Sequence, residues 1–252
     1  VAVKEFRYVR SEVPLAVLRE LRKEAGMHIQ LQGCERVVGL LGVWLFPRAS
    51  LLLEAMEGGS LHRLINDPSG EWRKLGCSGA VQLLVHVAEG LAFLHREGVV
   101  HRDVKSHNIM VRKGWKQQEA GLESYPKLQW EAKVGDLGSA AFIPGDGEKL
   151  LTEEVGTSGW AAPEVFSGLG YGTPVDVFSL GVLCWEAFAV GLSNPLCGLS
   201  LESYTHTLQL GVRPRLPTTV PVAITDLITQ CWSFSVEDRP NAAAVAAELS
   251  AI

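Results

Sequence analysis

This sequence offers little for a covalent or metal staple. Its five cysteines, Cys34, Cys77, Cys184, Cys197 and Cys231, are scattered and include no C-x-x-C pair. That spacing argues against a disulfide framework and a zinc site, and it fits a reducing, cytoplasmic compartment. No run of Lys or Arg stands out, and the formal net charge is −5. A nucleic-acid partner held on a basic face is therefore not expected. No secretory signal opens the chain. The most apolar region, Val177 to Leu201, is interrupted by Glu186 and followed through Gly191, Asn194, Pro195 and Gly198. A membrane span needs about 20 largely apolar residues, so this region reads as a buried core helix, and no span is expected. There is no internal repeat and no low-complexity tract. The chain opens on Val1 inside a strand-like segment, as expected of a piece of a longer protein with upstream domains. What is present is 252 residues, 47% of them hydrophobic, enough for one large core or two lobes.

One polar stretch carries chemistry: His101-Arg102-Asp103-Val104-Lys105-Ser106-His107-Asn108. It follows a helix-like apolar run, Ala80 to His95, and precedes a short strand-like run, Ile109 to Val111. Phosphoryl transfer needs a carboxylate to orient a hydroxyl nucleophile, a cation near the moving phosphate and an oxygen donor for Mg²⁺. Asp103, Lys105 and Asn108 supply these three groups within one loop. A second patterned stretch, Gly156-Thr157-Ser158-Gly159-Trp160-Ala161-Ala162-Pro163-Glu164, follows a Gly-, Asp- and Glu-rich segment.

The first stretch resembles the catalytic loop of protein kinases, H-R-D-L-x-x-x-N. The second resembles the G-T-x-x-[WY]-x-A-P-E segment that closes a kinase activation loop. The resemblance implies an α+β, bilobal kinase fold. Residues 1–54 would form a small β-rich lobe, residues 55–60 a hinge and residues 61–252 a larger, mainly helical lobe. The group is similar to the tyrosine-kinase-like kinases, through Gly58-Gly59-Ser60-Leu61 and Gly159-Trp160. Lys105, two residues after Asp103, is the serine/threonine pattern. Ser106-His107-Asn108 and Gly156-Thr157 are similar to the leucine-rich-repeat (Roco) kinases. No G-x-G-x-x-G precedes Lys4, so the small lobe is expected without its Gly-rich-loop strands.

Further roles follow from the resemblance. Val1 to Phe6 alternates like a half-buried strand and is similar to the V-A-I-K strand. Lys4 would then hold the α- and β-phosphates of ATP, and Ala2 would touch the adenine. Pro14 to Leu31 reads as a helix, with Pro14 suited to its first turn. Its Glu24 is the expected partner of Lys4, and Glu20 is the alternative. His28, one turn on, stands where kinases place a hydrophobic residue. Val37 to Leu41 reads as a strand, and Trp44–Phe46 and Leu51–Leu53 as a strand pair. Leu53 would be the gatekeeper, and the backbones of Glu54 and Met56 would face the adenine edge, with Met110 packing from below.

Residues 113–131 are polar and read as an insertion. Asp136, in Gly135-Asp136-Leu137-Gly138, resembles the metal-binding aspartate of D-F-G, so Asn108 and Asp136 would hold Mg²⁺. Thr157 would bond Asp103 and Lys105. Arg102 would dock a phosphate, placed first on Thr152 and second on Ser158. Glu164 with Arg239, and Asp176, would be scaffolding. The implied reaction is transfer of the ATP γ-phosphate to Ser or Thr of a protein. The alternative is a pseudokinase scaffold.

Overall fold

The computed structural model describes residues 1–9, 12–116, 127–144 and 151–252. Near the N-terminus, β1 (Ala2–Glu5), β2 (Leu40–Trp44) and β3 (Ser50–Leu53) form an antiparallel sheet in the order β1-β3-β2. The register sets Ala2 opposite Leu53 and Lys4 opposite Leu51. Helix α1 (Leu15–Gln30) follows Pro14, whose extended backbone enters the first turn. Its buried residues Leu21, Glu24, Ala25 and His28 recur at helical spacing, so one face turns inward. The core here is small: Leu21, Ala25, Ala49 and Leu51.

Val37 and Val38, expected at the start of a strand, lie outside β2. Both are buried, which the two faces of a half-solvated strand cannot provide. Val37 instead forms an isolated parallel bridge with Val134, where Val38 N–H donates to Val134 O at 2.9 Å and Val134 N–H to Arg36 O at 2.8 Å. These bonds tie the small sheet to the rest of the molecule.

A two-residue strand, β4 (Gly59–Ser60), leads into α2 (Leu61–Ile65), which Ser60 caps by accepting the Arg63 N–H. Helix α3 (Glu71–Arg96) is kinked at Gly76, where φ is 64° and ψ −171°. After β5 (Val99–Val100), strands β6 (Ile109–Lys116) and β7 (Lys127–Val134) form a ribbon in register from Ile109–Val134 to Lys116–Lys127. The expected insertion at 113–131 is therefore strand at both ends, with only 117–126 outside the described residues.

Strand β8 (Ala141–Phe142) pairs with β5. Helix α4 (Pro174–Phe188) is buried nearly all round, as its apolar sequence requires. It approaches α6 (Val222–Cys231) so closely that a Cβ at Gly181 would lie 2.7 Å from Cys231 Cβ. Helices α5 (Leu201–Gln209) and α7 (Ala242–Ser250) complete the body. Among the described residues, α3 alone is long and apolar enough to cross a membrane by length and composition, and more than half of that apolar window is buried within the protein.

Candidate active site

The loop between β5 and β6 is held from beneath by Asp176, in the first turn of α4. This carboxylate is fully buried and accepts the N–H groups of His101 and Arg102, each at 2.8 Å, with His95 Nε2 at 2.9 Å. Burial pushes the Asp176 carboxyl up, but His95 and His101 overcome it and hold it below the ordinary carboxylate value. The double anchor lets Arg102 keep a left-handed backbone, φ 69°, at a cost of about 1–3 kcal/mol. The His101 ring donates Nε2–H to Gly135 O at 2.9 Å, joining the loop to the segment that carries Asp136.

Four of the expected residues meet in one knot. Asp103 Oδ1 accepts the Thr157 hydroxyl at 2.6 Å. Asp103 Oδ2 accepts Lys105 Nζ at 2.7 Å and Asn108 Nδ2 at 2.8 Å. Lys105 also donates to Thr157 Oγ1 at 2.7 Å. Asn108 spends its remaining donor capacity on Asp103 O at 2.8 Å, which leaves its Oδ1 as an oxygen ligand.

A second knot joins β1, α1 and the Asp136 turn. Lys4 Nζ lies 2.7 and 2.8 Å from the two Glu24 oxygens and 2.7 Å from Asp136 Oδ1. Glu24 is buried, whereas Glu20 is exposed. Burial works against the Lys4 ammonium, but the two carboxylates overcome it and hold its pKa above the ordinary lysine value. Asp136 is held below the ordinary value, since Lys4 outweighs desolvation. Asp136 also has a left-handed backbone, φ 55°. Leu137 beside it is fully buried. His28 is buried, its Nε2 has no hydrogen-bond partner among the described residues, and burial pushes its pKa down to about 4.

The residues expected around an adenine are more dispersed in role. Ala2 is exposed and sits across from Leu53, while Met110 pairs with Ser60 and Lys133. Met56 is buried, and its carbonyl accepts the Gly59 N–H at 2.9 Å. The Glu54 N–H donates to Gly39 O at 2.8 Å. Its side chain carries an interaction that sequence reasoning missed. Both carboxylate oxygens lie 2.8 Å from the buried Lys133 ammonium, and Arg112 adds a bond of 2.7 Å. Burial pushes the Glu54 carboxyl up, but Lys133, the Gly39 N–H and Arg112 hold it low. Lys133 stands three residues before Asp136 on a strand otherwise apolar there, and that buried lysine was the available signal.

Arg102 does not present an open cation. Its guanidinium, 1% exposed, bonds Ser139 O at 2.6 Å and the Glu153 carboxylate at 2.9 Å. Tyr171 OH lies 3.3 Å from the same guanidinium and donates to Glu153 O at 2.6 Å. An acidic side chain therefore occupies the place assigned to a phosphate. Thr152 beside it is exposed, and Ser158 Oγ donates to Leu196 O at 3.4 Å. Farther out, Arg239, fully buried, makes a bidentate pair with Glu164.

The oxygen atoms left over suit a hard divalent cation. Among the described residues no group of three or more His, Cys, Asp or Glu side chains forms a metal cage. Asn108 Oδ1 and the second Asp136 oxygen are the atoms that could hold such a cation, and a hard ion such as Mg²⁺ can take one or two protein oxygens and complete its shell from phosphates and water.

A family model described as protein tyrosine and serine/threonine kinase matches residues 1–249. Mitogen-activated protein kinase kinase kinase 7 of Drosophila melanogaster is 31% identical over 247 residues, covering 96% of this chain and 32% of that protein. Tyrosine-protein kinase SYK of Gallus gallus is 27% identical over 232 residues, 91% of this chain and 34% of that protein. Another similar protein, "Probable serine/threonine-protein kinase drkC" of Dictyostelium discoideum, is 31% identical over 242 residues, 93% of this chain and 29% of that protein. The chain thus spans about a third of the length of these curated relatives.

Proposed function

The chain belongs to the protein tyrosine and serine/threonine kinase family, and from that premise we propose that it transfers the γ-phosphoryl group of ATP to Ser or Thr hydroxyls of a protein, with Mg²⁺. The observation that carries the serine/threonine assignment is the closed triangle of Asp103, Lys105 and Thr157. Lys105 there reaches both the carboxylate and the segment that follows the activation loop. Asp103 orients the acceptor hydroxyl and receives its proton. Lys105 faces the charge that builds on the moving phosphoryl group. Thr157 and Asn108 hold Asp103 in one rotamer, so its lone pairs are set before substrate arrives.

Asn108 and Asp136 would hold the metal, and Lys4, fixed by Glu24, would face the α- and β-phosphates. When bound, the cation neutralises phosphate charge. Ala2, Met110 and the backbones of Glu54 and Met56 would bound the adenine. Phosphoryl transfer to protein from labelled ATP, followed by phosphoamino-acid analysis, tests this reading in the full-length protein. Phosphoserine or phosphothreonine well above the level of Asp103→Asn is expected. Transfer no greater than that variant's overturns it in favour of a partner-holding domain without transfer. Phosphotyrosine alone overturns the serine/threonine assignment.

A further inference from the structure

The turn that carries Asn108 is held from more sides than the knot at Asp103 explains. It is a single 3₁₀ turn, Ser106–Asn108, closed by the Asn108 N–H donating to Lys105 O at 2.9 Å. Ser106 is fully buried and ties the turn downward, its hydroxyl donating at 2.5 Å to Glu186 Oε1 in the last turn of α4. His107, in the middle of the turn, is exposed and makes no side-chain hydrogen bond among the described residues. Its ring is nonetheless fixed. It stacks on the His62 ring with centroids 3.8 Å apart and planes 20° from parallel, and Trp160 stands edge-on to it at 6.5 Å and 89°.

His62 reaches this turn from α2, which follows directly on β4. Ser60 caps α2 and pairs with Met110 in the register of β4 with β6. One short segment therefore grips the chain on both sides of Asn108, at Met110 beyond it and at His107 before it. His62 has its own supports: its Nδ1 lies 3.3 Å from Ser106 Oγ and 3.4 Å from Glu186 Oε1. Trp160, on the other flank, donates its Nε1–H to Glu186 Oε2 at 3.3 Å and its backbone N–H to Thr157 O at 3.0 Å. Stacked rings have a preferred mutual geometry beyond the area they bury. The stack thus fixes the backbone at His107, between the two residues whose side chains must be aimed, Lys105 and Asn108.

We propose that His62 and His107 are positioning residues, whose stack carries the placement of α2 into the Ser106–Asn108 turn and sets the aim of Asn108 Oδ1 at the metal. The inference rests on the reading above, in which Asn108 holds Mg²⁺ for phosphoryl transfer. A misaimed ligand and a lost substrate contact separate in kinetics, since the first lowers kcat and the second raises KM. In the full-length protein, His62→Ala and His107→Ala should each lower kcat about tenfold, within what a misplacement of about 1 Å can cost, while the KM for a serine peptide changes less than about twofold. His62→Phe, which keeps a flat ring on His107, should restore most of the loss. The double Ala variant should be no slower than either single one, because both remove the same interaction.

A second readout needs no turnover. The affinity for an ATP analogue carrying a fluorescent methylanthraniloyl group is measured with and without Mg²⁺. The gain on adding Mg²⁺ should shrink in both Ala variants and return in His62→Phe. If His62→Ala lowers the unfolding midpoint, His107→Ala gives the same two readings from the exposed side of the stack. A Mg²⁺ gain that falls in the Ala variants of a protein that transfers no phosphate supports the positioning role while overturning the enzyme reading. Unchanged kcat and Mg²⁺ gain in the Ala variants overturn the proposal. So do an effect confined to the peptide KM, a His62→Phe variant as impaired as His62→Ala, and a wild-type affinity indifferent to Mg²⁺.

Discussion

The small sheet unit and the helical body are built on different balances of forces. The body has one continuous core, from Leu61 and Leu84 through Leu183 to Leu249. The sheet unit buries only Leu21, Ala25, Ala49 and Leu51 as its core, and it leaves Val3, Trp44, Leu45 and Phe46 exposed. Its attachment to the body is mixed: Met27, Leu31 and Val37 belong to the body's apolar core, and polar ties join Lys4 to Asp136, Glu54 to Lys133, and the backbones at Val37–Val38. Apolar burial scales with area and has no direction, so the body is held as one block. Ion pairs are directional and screened by salt, so they set the placement of the sheet unit more than its stability. The division suits the proposed chemistry, since Asp103, Asn108 and Asp136 sit on the rigid block while Lys4 comes from the smaller unit.

That contrast can be broken from several sides. The largest effect is expected from Asp103→Asn, which keeps the shape but removes the charge. Phosphoryl transfer should fall about 10²- to 10⁴-fold, as for loss of a general base, with the unfolding midpoint little changed. Next comes the scaffold of the body. Asp176→Ala or Arg239→Met should each cost about 3–5 kcal/mol in denaturant unfolding, because each leaves buried groups unpaired. A loss of stability below about 1 kcal/mol would deny these anchors their part in the block.

The cores can then be compared directly. Leu84 and Leu51 are both fully buried, and Leu→Ala at such sites costs about 2–5 kcal/mol. Leu84→Ala should lower global stability by that range. Leu51→Ala should instead shorten amide-exchange protection in β1, β3 and α1 while sparing α3 and α4. Equal losses of protection everywhere would show that the two cores melt as one.

Acid should act on the anchors before it acts on the apolar cores. Asp176 and Asp136 are held below the ordinary carboxylate value. Their contribution is complete above the unfolded-chain pKa of about 4 and is lost as pH falls through their lower folded values. Unfolding midpoints should therefore fall below about pH 4, and Asp176→Asn should flatten that slope. The smallest effect is expected for Lys133→Met. It should alter the KM for ATP a few-fold, with kcat changed less, because Lys133 acts through Glu54 rather than on the reacting atoms.

The chemistry-bearing loop was readable because it is local. The offsets among Asp103, Lys105 and Asn108 lie within one turn and one short bend, and Thr157 belonged to a second compact pattern. The choice between Glu20 and Glu24 was harder, since both lie on one helix face. Burial separated them, and burial depends on which side of α1 meets the sheet. The Glu153 carboxylate on Arg102 was missed because a loop rich in acids gives no register. The ion pair between Glu54 and Lys133 was missed because it joins residues 79 apart in the chain. The cluster at Glu186 draws on α2, the catalytic loop, α4 and the segment after Thr157, and no pattern along the chain connects those four.

The sequence alone determined the family of the chain and singled out the compact loop on which the proposed acid–base chemistry rests. Periodicity and fixed short spacings are properties of neighbouring residues, and they survive without a fold. Tertiary structure decided which charges meet: Lys4 with Glu24 and Asp136, Arg102 with Glu153, Glu54 with Lys133, and Glu186 with no cation among the described residues. Those pairings depend on distances across packed elements. Electrostatic energy changes steeply over a few ångströms in a low-dielectric interior, so a list of charged residues cannot supply them.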